Sequence, residues 1–142
     1  MKTKFTTLFV LLIVAVLVAA CGGAPANAGE VTSALTEAEA TAIAENALNA
    51  FNTGDYAAWS RDWDDDLKGA INEEAFLQYR EQALGQVGQF QSILSAEMAP
   101  STRADSVRWV FTCQFENAKI RFIMAFPKDG KLANTVMTEP AE

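Results

Sequence analysis

Along residues 107–126 apolar and polar side chains alternate. Val107, Trp109, Phe111, Cys113 and Phe115 take turns with Arg108, Thr112, Gln114 and Glu116. After Asn117-Ala118 the alternation resumes with Ile120, Phe122, Met124 and Phe126. Period two over such a length predicts two antiparallel strands with one face buried. With Asn117-Ala118 as the turn, Glu116 faces Lys119, Gln114 faces Arg121, Phe115 faces Ile120 and Cys113 faces Phe122. That register sets apolar against apolar and minus against plus.

Upstream the period is helical. Thr36 and Glu39 have the spacing of a capping box, and Ile43, Ala44, Ala47, Leu48 and Phe51 follow at three- and four-residue steps. Gly54 suits the left-handed residue past the last turn. Asp55 caps a short second helix through about Trp59, burying Tyr56 and Trp59. Residues 62–68 read as a loop. Asn72 caps a third helix carrying Ala75, Phe76, Tyr79, Ala83 and Leu84, ending near Gly85 or Gly88.

From Phe90 the period returns to two. Phe90, Ser92, Leu94, Ala96 and Met98 share one phase, and residues 100–105 form a loop. Lys128-Asp129-Gly130 is a second tight turn, and residues 132–138 are the last strand. Three helices followed by a four-stranded antiparallel meander is an α+β layout, with the helices on one sheet face.

The N-terminus changes the picture of where this domain sits. Lys2 and Lys4 precede an apolar run over residues 8–20. Thirteen residues are too few for a spanning helix, which needs roughly twenty. Charged start, apolar middle and small residues at the end form a secretory signal. It stops at Val18-Ala19-Ala20-Cys21, which resembles the bacterial lipobox. The resemblance implies cleavage between Ala20 and Cys21, a thioether-linked diacylglycerol on Cys21, and acylation of its new amino group. Two or more chains such as palmitate hold a protein on a bilayer stably. An uncleaved anchor helix and a plain signal peptide with a chance cysteine are the alternatives.

The expected organisation is thus a signal peptide over 1–20, a lipidated cysteine and tether over 21–34, and the folded domain over 35–142. The Gly-, Ala- and Pro-bearing tether has a mean reach of about 20 Å. Localisation follows: the outer face of the cell membrane, or the outer membrane, which Gly22 after the cysteine permits by analogy to lipoprotein sorting.

Without Lys2 and Lys4 the chain holds nine basic and eighteen acidic residues, a net charge of −9. It repels nucleic acid and anionic lipid, so the acyl chains must provide the attachment. There is no histidine. Cys113 has no partner in the chain and falls on the apolar strand face, so it reads as a small buried hydrophobe. As a nucleophile it would need a base or a cationic neighbour.

The order of elements resembles the nuclear-transport-factor-like (cystatin-like α+β) superfamily, and within it the bacterial domain-of-unknown-function 3887 family. Ala47, Leu48, Phe51, Gly54-Asp55-Tyr56, Trp63, Leu67, Lys68, Gly88, Phe90, Phe115, Phe126 and Asp129-Gly130-Lys131 carry the resemblance over residues 35–140. It implies a cone-like fold in which a curved sheet wraps the first helix. It also implies occurrence in lipoproteins and beside hydrolase domains, with no assigned chemistry. Superfamily enzymes work in the hollow between sheet and helices with inward acids, tyrosines or histidines.

The inward strand residues include no acid, base or hydroxyl, which favours packed core. The last strand adds one inward polar residue: Asn134 after a three-residue turn, or Thr135 after a two-residue one. If the hollow is instead a pocket, Trp59, Trp63, Trp109, Phe111, Phe122 and Asn134 line it. The acidic run Asp62, Asp64, Asp65 and Asp66 lacks calcium-loop spacing and reads as a solvated loop. No metal and no cofactor is expected.

Two function classes result. The first is a non-catalytic binding or interaction module, acting by dimerisation or by holding an apolar small ligand. The second is a small-molecule isomerase or dehydratase using Asp62 or a neighbour beside Trp59 and Trp63. A homodimer would use the outer sheet face, where Val110, Thr112, Ile123 and Ala125 are rimmed by Arg108, Gln114, Glu116, Lys119 and Arg121. A partly covered face in a monomer has the same pattern.

Overall fold

The computed structural model describes residues 35–101, 103, 105–128 and 130–139. The signal segment, Cys21 and the tether lie outside the described residues. Helix α1, Glu37–Thr53, starts in a complete capping box. The Glu39 N–H reaches the Thr36 hydroxyl at 3.3 Å, and the Thr36 N–H reaches the Glu39 carboxylate at 2.8 Å. Gly54 closes the helix at φ 80°. Its buried stripe is mostly alanine: Ala40, Ala44, Ala47 and Ala50, with Leu48 and Phe51. Small side chains let this helix lie close to strands β1 (Phe90–Pro100) and β2 (Ser106–Phe115).

Helix α2, Tyr56–Trp59, is capped by Asp55, and α4, Glu73–Val87, by Asn72. Between them the expected loop is in part a helix, α3, Asp65–Ala70. Asp64 accepts the Leu67 N–H at 2.8 Å. Asp65 and Asp66 occupy the first turn and Lys68 the last, so the acidic run lies where the helix dipole favours it. Helix α4 ends at Gly88 and passes through Gly85.

The sheet is open and antiparallel in the order β1-β2-β3-β4, with β3 Lys119–Pro127 and β4 Asn134–Thr138. The α+β layout is as expected, and three details differ. The β2–β3 register is offset by two residues: Gln114 faces Lys119, Cys113 faces Ile120 and Phe111 faces Phe122. Glu116 is drawn away from Lys119 by the segment after α4. Its N–H bonds the Gln89 carbonyl at 3.0 Å, and its carboxylate accepts the Gln89 N–H at 2.9 Å. An offset of two keeps every side chain on its face, so the alternation cannot distinguish the two registers.

In β1, irregularities between Phe90 and Ser92 and between Ile93 and Ser95 flip the phase and restore it. Ile93 therefore sits opposite buried Cys113, while Leu94 is exposed. The last strand starts at Asn134, and Leu132 is instead bracketed by residues 62–64. The Leu132 N–H bonds the Asp62 carbonyl and the Asp64 N–H bonds the Leu132 carbonyl, both at 2.9 Å.

Phe51, Phe76, Phe111, Phe115, Phe122 and Phe126 are fully buried between helices and sheet. Two side chains fasten the layers. The Asn52 amide exchanges both hydrogen bonds with the Phe90 backbone, at 2.8 and 2.9 Å, and so acts as one more strand residue. Arg80 of α4 donates to the carbonyls of Phe51 and Asn52, placing a cation at the C-terminus of α1, which has no basic residue in its own last turn. Among the described residues no helix is long and apolar enough to cross a bilayer.

Candidate functional site: an apolar cleft between α4 and β4

Only Phe76 of the fifteen residues in α4 is buried. Its ring meets Trp59 at 4.3 Å and Phe51 at 5.9 Å. These contacts fix the N-terminal half of α4 on the other helices and leave an open cleft of about 450 Å³ between it and the β3–β4 side of the sheet. The helical wall is Trp59, Ile71, Ala75, Phe76 and Tyr79; the sheet wall is Phe122, Thr135, Val136 and Met137. A smaller extension of about 200 Å³ continues along α4 past Tyr79, Ala83 and Val87 to Ile120, Met137, Thr138 and Glu139.

The main cleft has no charged side chain. Besides the indole N–H of Trp59, its polar side-chain groups are two hydroxyls. Thr135 faces inward opposite Met124, and its Oγ1 is shielded from solvent without a hydrogen-bond partner. Tyr79 is half exposed, and partial burial raises its phenol above the usual range. The indole N–H of Trp63 is likewise buried and unpartnered. A neutral, largely apolar guest with one or two hydrogen-bonding groups suits such walls.

Of the six residues the sequence suggests for a pocket, two line this cleft: Trp59 and Phe122. Trp63 packs edge-on against Trp59 at 4.4 Å, outside the lining. Trp109 and Phe111 are stacked in the core, 5% and 0% exposed. Asn134 lies on the other face, opposite Ala125, because the turn places Thr135 inward. Ala75, Tyr79 and Met137 are lining residues that sequence reasoning missed. Phe76 and Tyr79 at one-turn spacing were the available signal, read there as core.

Asp62 pairs with Arg61 at 3.0 Å and is not part of the cleft wall. Cys113 is fully buried, and loss of hydration pushes its thiol up to about 12, a hydrogen bond from the Phe122 backbone opposing this. Such a thiol is inert as a nucleophile near neutral pH. Among the described residues no group of three or more His, Cys, Asp or Glu is placed to hold a metal ion.

A family model described as protein of unknown function, DUF3887, matches residues 44–134. The chain belongs to the DUF3887 family. The DUF3887 match runs from Ala44 in α1 to Asn134 at the start of β4, and so takes in the whole helical wall and Phe122. A protein from Ruminococcus gnavus, solved by NMR, has a similar structure: TM-score 0.61 at 16% identity, covering 76% of this chain and 96% of that one. At that identity the likeness concerns the fold alone. The curated proteins contain no match.

Proposed function

We propose that this DUF3887 domain is a non-catalytic binding module, held at the bacterial cell envelope by lipid on Cys21, that accommodates an apolar guest between α4 and β4. The observation behind this reading is the main cleft: about 450 Å³ with walls free of charge and with the unpartnered Thr135 hydroxyl among its lining. Chemistry on a small molecule would need a group beside the guest that exchanges protons readily near neutral pH. The titratable lining residue is Tyr79, whose phenol is held above its ordinary range by burial, and Asp62 pairs with Arg61 outside the wall.

The test uses the chain from residue 21 onward, carrying Cys21→Ser so that neither lipid nor detergent competes. Neutral N-phenyl-1-naphthylamine should brighten on binding, and Ala75→Trp, which fills the cleft from an exposed helix position, should abolish the signal with the helical circular dichroism unchanged. Equal brightening in both proteins would refute the cleft as the site. Attachment is tested separately: Cys21→Ser in cells should move the protein from the membrane to the soluble fraction.

A second reading concerns the outer face, where Val110, Ile123 and Val136 form one row across three strands. As a contact between two copies it predicts a dimeric native mass that Ile123→Lys converts to a monomer. A monomeric parent would remove this reading.

A further inference from the structure

The guest has a definite geometry if the edge of the sheet is considered with the cleft. Residues 135–139 all border the two parts of the cleft in unbroken succession. Alternation sends Val136 and Thr138 to the opposite sheet face from Thr135 and Met137. What these consecutive residues present together, four of them in β4 and Glu139 just past its end, is therefore the backbone edge of the strand. Its partner is β3 on one side, and among the described residues no strand pairs the other side. A strand edge with free N–H and C=O groups is a template for another strand.

The chain begins such a strand itself and abandons it. Residues 62–64 run parallel to the edge and bracket Leu132 with two hydrogen bonds of 2.9 Å, then turn into α3 at Asp65. Beyond that point the edge continues through β4 without a neighbour. Five strand residues span about 17 Å. The thirteen residues of the α4 wall from Ala75 to Val87 span about 20 Å. The two sides are of similar length.

We infer that the cleft accepts an extended peptide segment of a partner protein, about five to seven residues long, which adds to β4 as a fifth strand beneath α4. This rests on the binding-module reading above and specifies its guest. Alternate side chains of the segment enter toward Trp59, Phe76 and Phe122, so they are large and apolar. The segment carries no acid, and a basic residue suits the end beside Glu139, in a chain that from residue 21 onward has nine basic and eighteen acidic residues, a net charge of −9. The chain's own residues 22–33 do not fit this description, because Val31 is their one branched apolar side chain.

The test uses the Cys21→Ser chain from residue 21 and a library of seven-residue peptides alternating Val, Leu or Phe with Thr, Ser or Lys. At least one peptide should bind, and on saturation some amides of β4 should exchange with solvent at least tenfold more slowly. N-methylation of that peptide at alternate positions decides the mode. In the set whose N–H groups point at β4 it should weaken binding at least tenfold, and in the other set less than twofold. Equal tolerance of both sets would overturn strand addition. So would the absence of any binder tighter than about 1 mM, or β4 amides already protected in a dimer without peptide. If naphthylamine binds and every peptide fails, this inference falls while the apolar-guest reading stands; if naphthylamine fails too, both fall.

Discussion

Two glycines three residues apart should respond to alanine with opposite signs. Gly88 ends α4 at φ 75°, ψ −166°, a region almost reserved for glycine, where another residue costs about 1–3 kcal/mol. A Cβ there would lie 2.6 Å from both Cβ and Oε2 of Glu116. The carboxylate can swing away, but the Cβ moves only with its backbone. That backbone is held by the Glu116 N–H to Gln89 and the Asn117 N–H to Val87, both at 3.0 Å. Relief therefore strains or breaks bonds worth about 1 kcal/mol each. Gly88→Ala should lose about 3–4 kcal/mol in total. Gly85 is helical, and its added Cβ meets nothing within 4 Å. Gly85→Ala should gain about 0.5 kcal/mol from helix propensity. Urea unfolding followed by tryptophan fluorescence measures both. With a slope of about 1.5 kcal/mol/M, Gly88→Ala lowers the midpoint by about 2 M and Gly85→Ala raises it by about 0.3 M. Equal midpoints for Gly88→Ala and the parent, or two shifts of the same sign, would refute the assignment of Gly88 as the turning point between helix and sheet.

Other positions give independent checks. Arg80→Gln removes the cation from the α1 carbonyls and should cost about 1.5–3 kcal/mol in the same urea assay, while Asp62→Ala breaks an exposed pair and should cost less than about 1 kcal/mol. Asn52→Ala leaves the Phe90 backbone without either amide bond and should cost about 2 kcal/mol; native-state hydrogen exchange should show the loss first at the start of β1. Cys113 should resist iodoacetamide at pH 8 until urea unfolds the chain. Its linkage has a definite sign: the unfolded thiol ionises near 9.0 while the folded one holds its proton to about 12. The stability this group supports is full below pH 9 and falls as pH rises toward 12, and Cys113→Ala should flatten that slope.

The residues explain which parts of this fold were legible. Thr36-Glu39, Asp55 and Asn72 act within three residues of themselves, so their caps could be read directly. Strand existence and inward face in β2 and β3 follow from period two. Register does not, because an offset of two preserves the pattern, and the contact that decides it, Glu116 with Gln89, joins segments 27 residues apart. The β1 irregularities hide behind Ser92 and Leu94, whose types fit either phase. Asp64 reads as one charge in an acidic run until Leu67 is seen to turn inward above it. For the cleft, Trp59 and Phe122 stand out by size. Ala75 and Thr135 matter through what α4 and β4 leave between them, and no local pattern encodes that gap.

The gap has a cause in the distribution of side-chain size over the helices. The alanine stripe of α1 brings its axis close to β1 and β2, where the sheet closes over Phe111 and Phe115. On the other side, Trp59, Trp63, Tyr56 and Phe76 stack among themselves with centroids 4.3–6.4 Å apart. Their bulk props α4 away from β3 and β4, and the exposed Tyr79 and half-buried Met137 show how little of the facing surface is covered. Closing this side would add stability, since each buried side chain of that size adds about 1.5–3 kcal/mol. The wedge instead leaves apolar surface and a strand edge open at the same place, and a guest that covers both recovers the hydrogen bonds of the edge along with the hydrophobic contact of the walls. Removing the unpartnered polar group from this wall should therefore stabilise the free domain and weaken such a guest: Thr135→Val replaces the shielded hydroxyl by a methyl of the same size, raises the urea midpoint, and lowers affinity for any guest that bonds it.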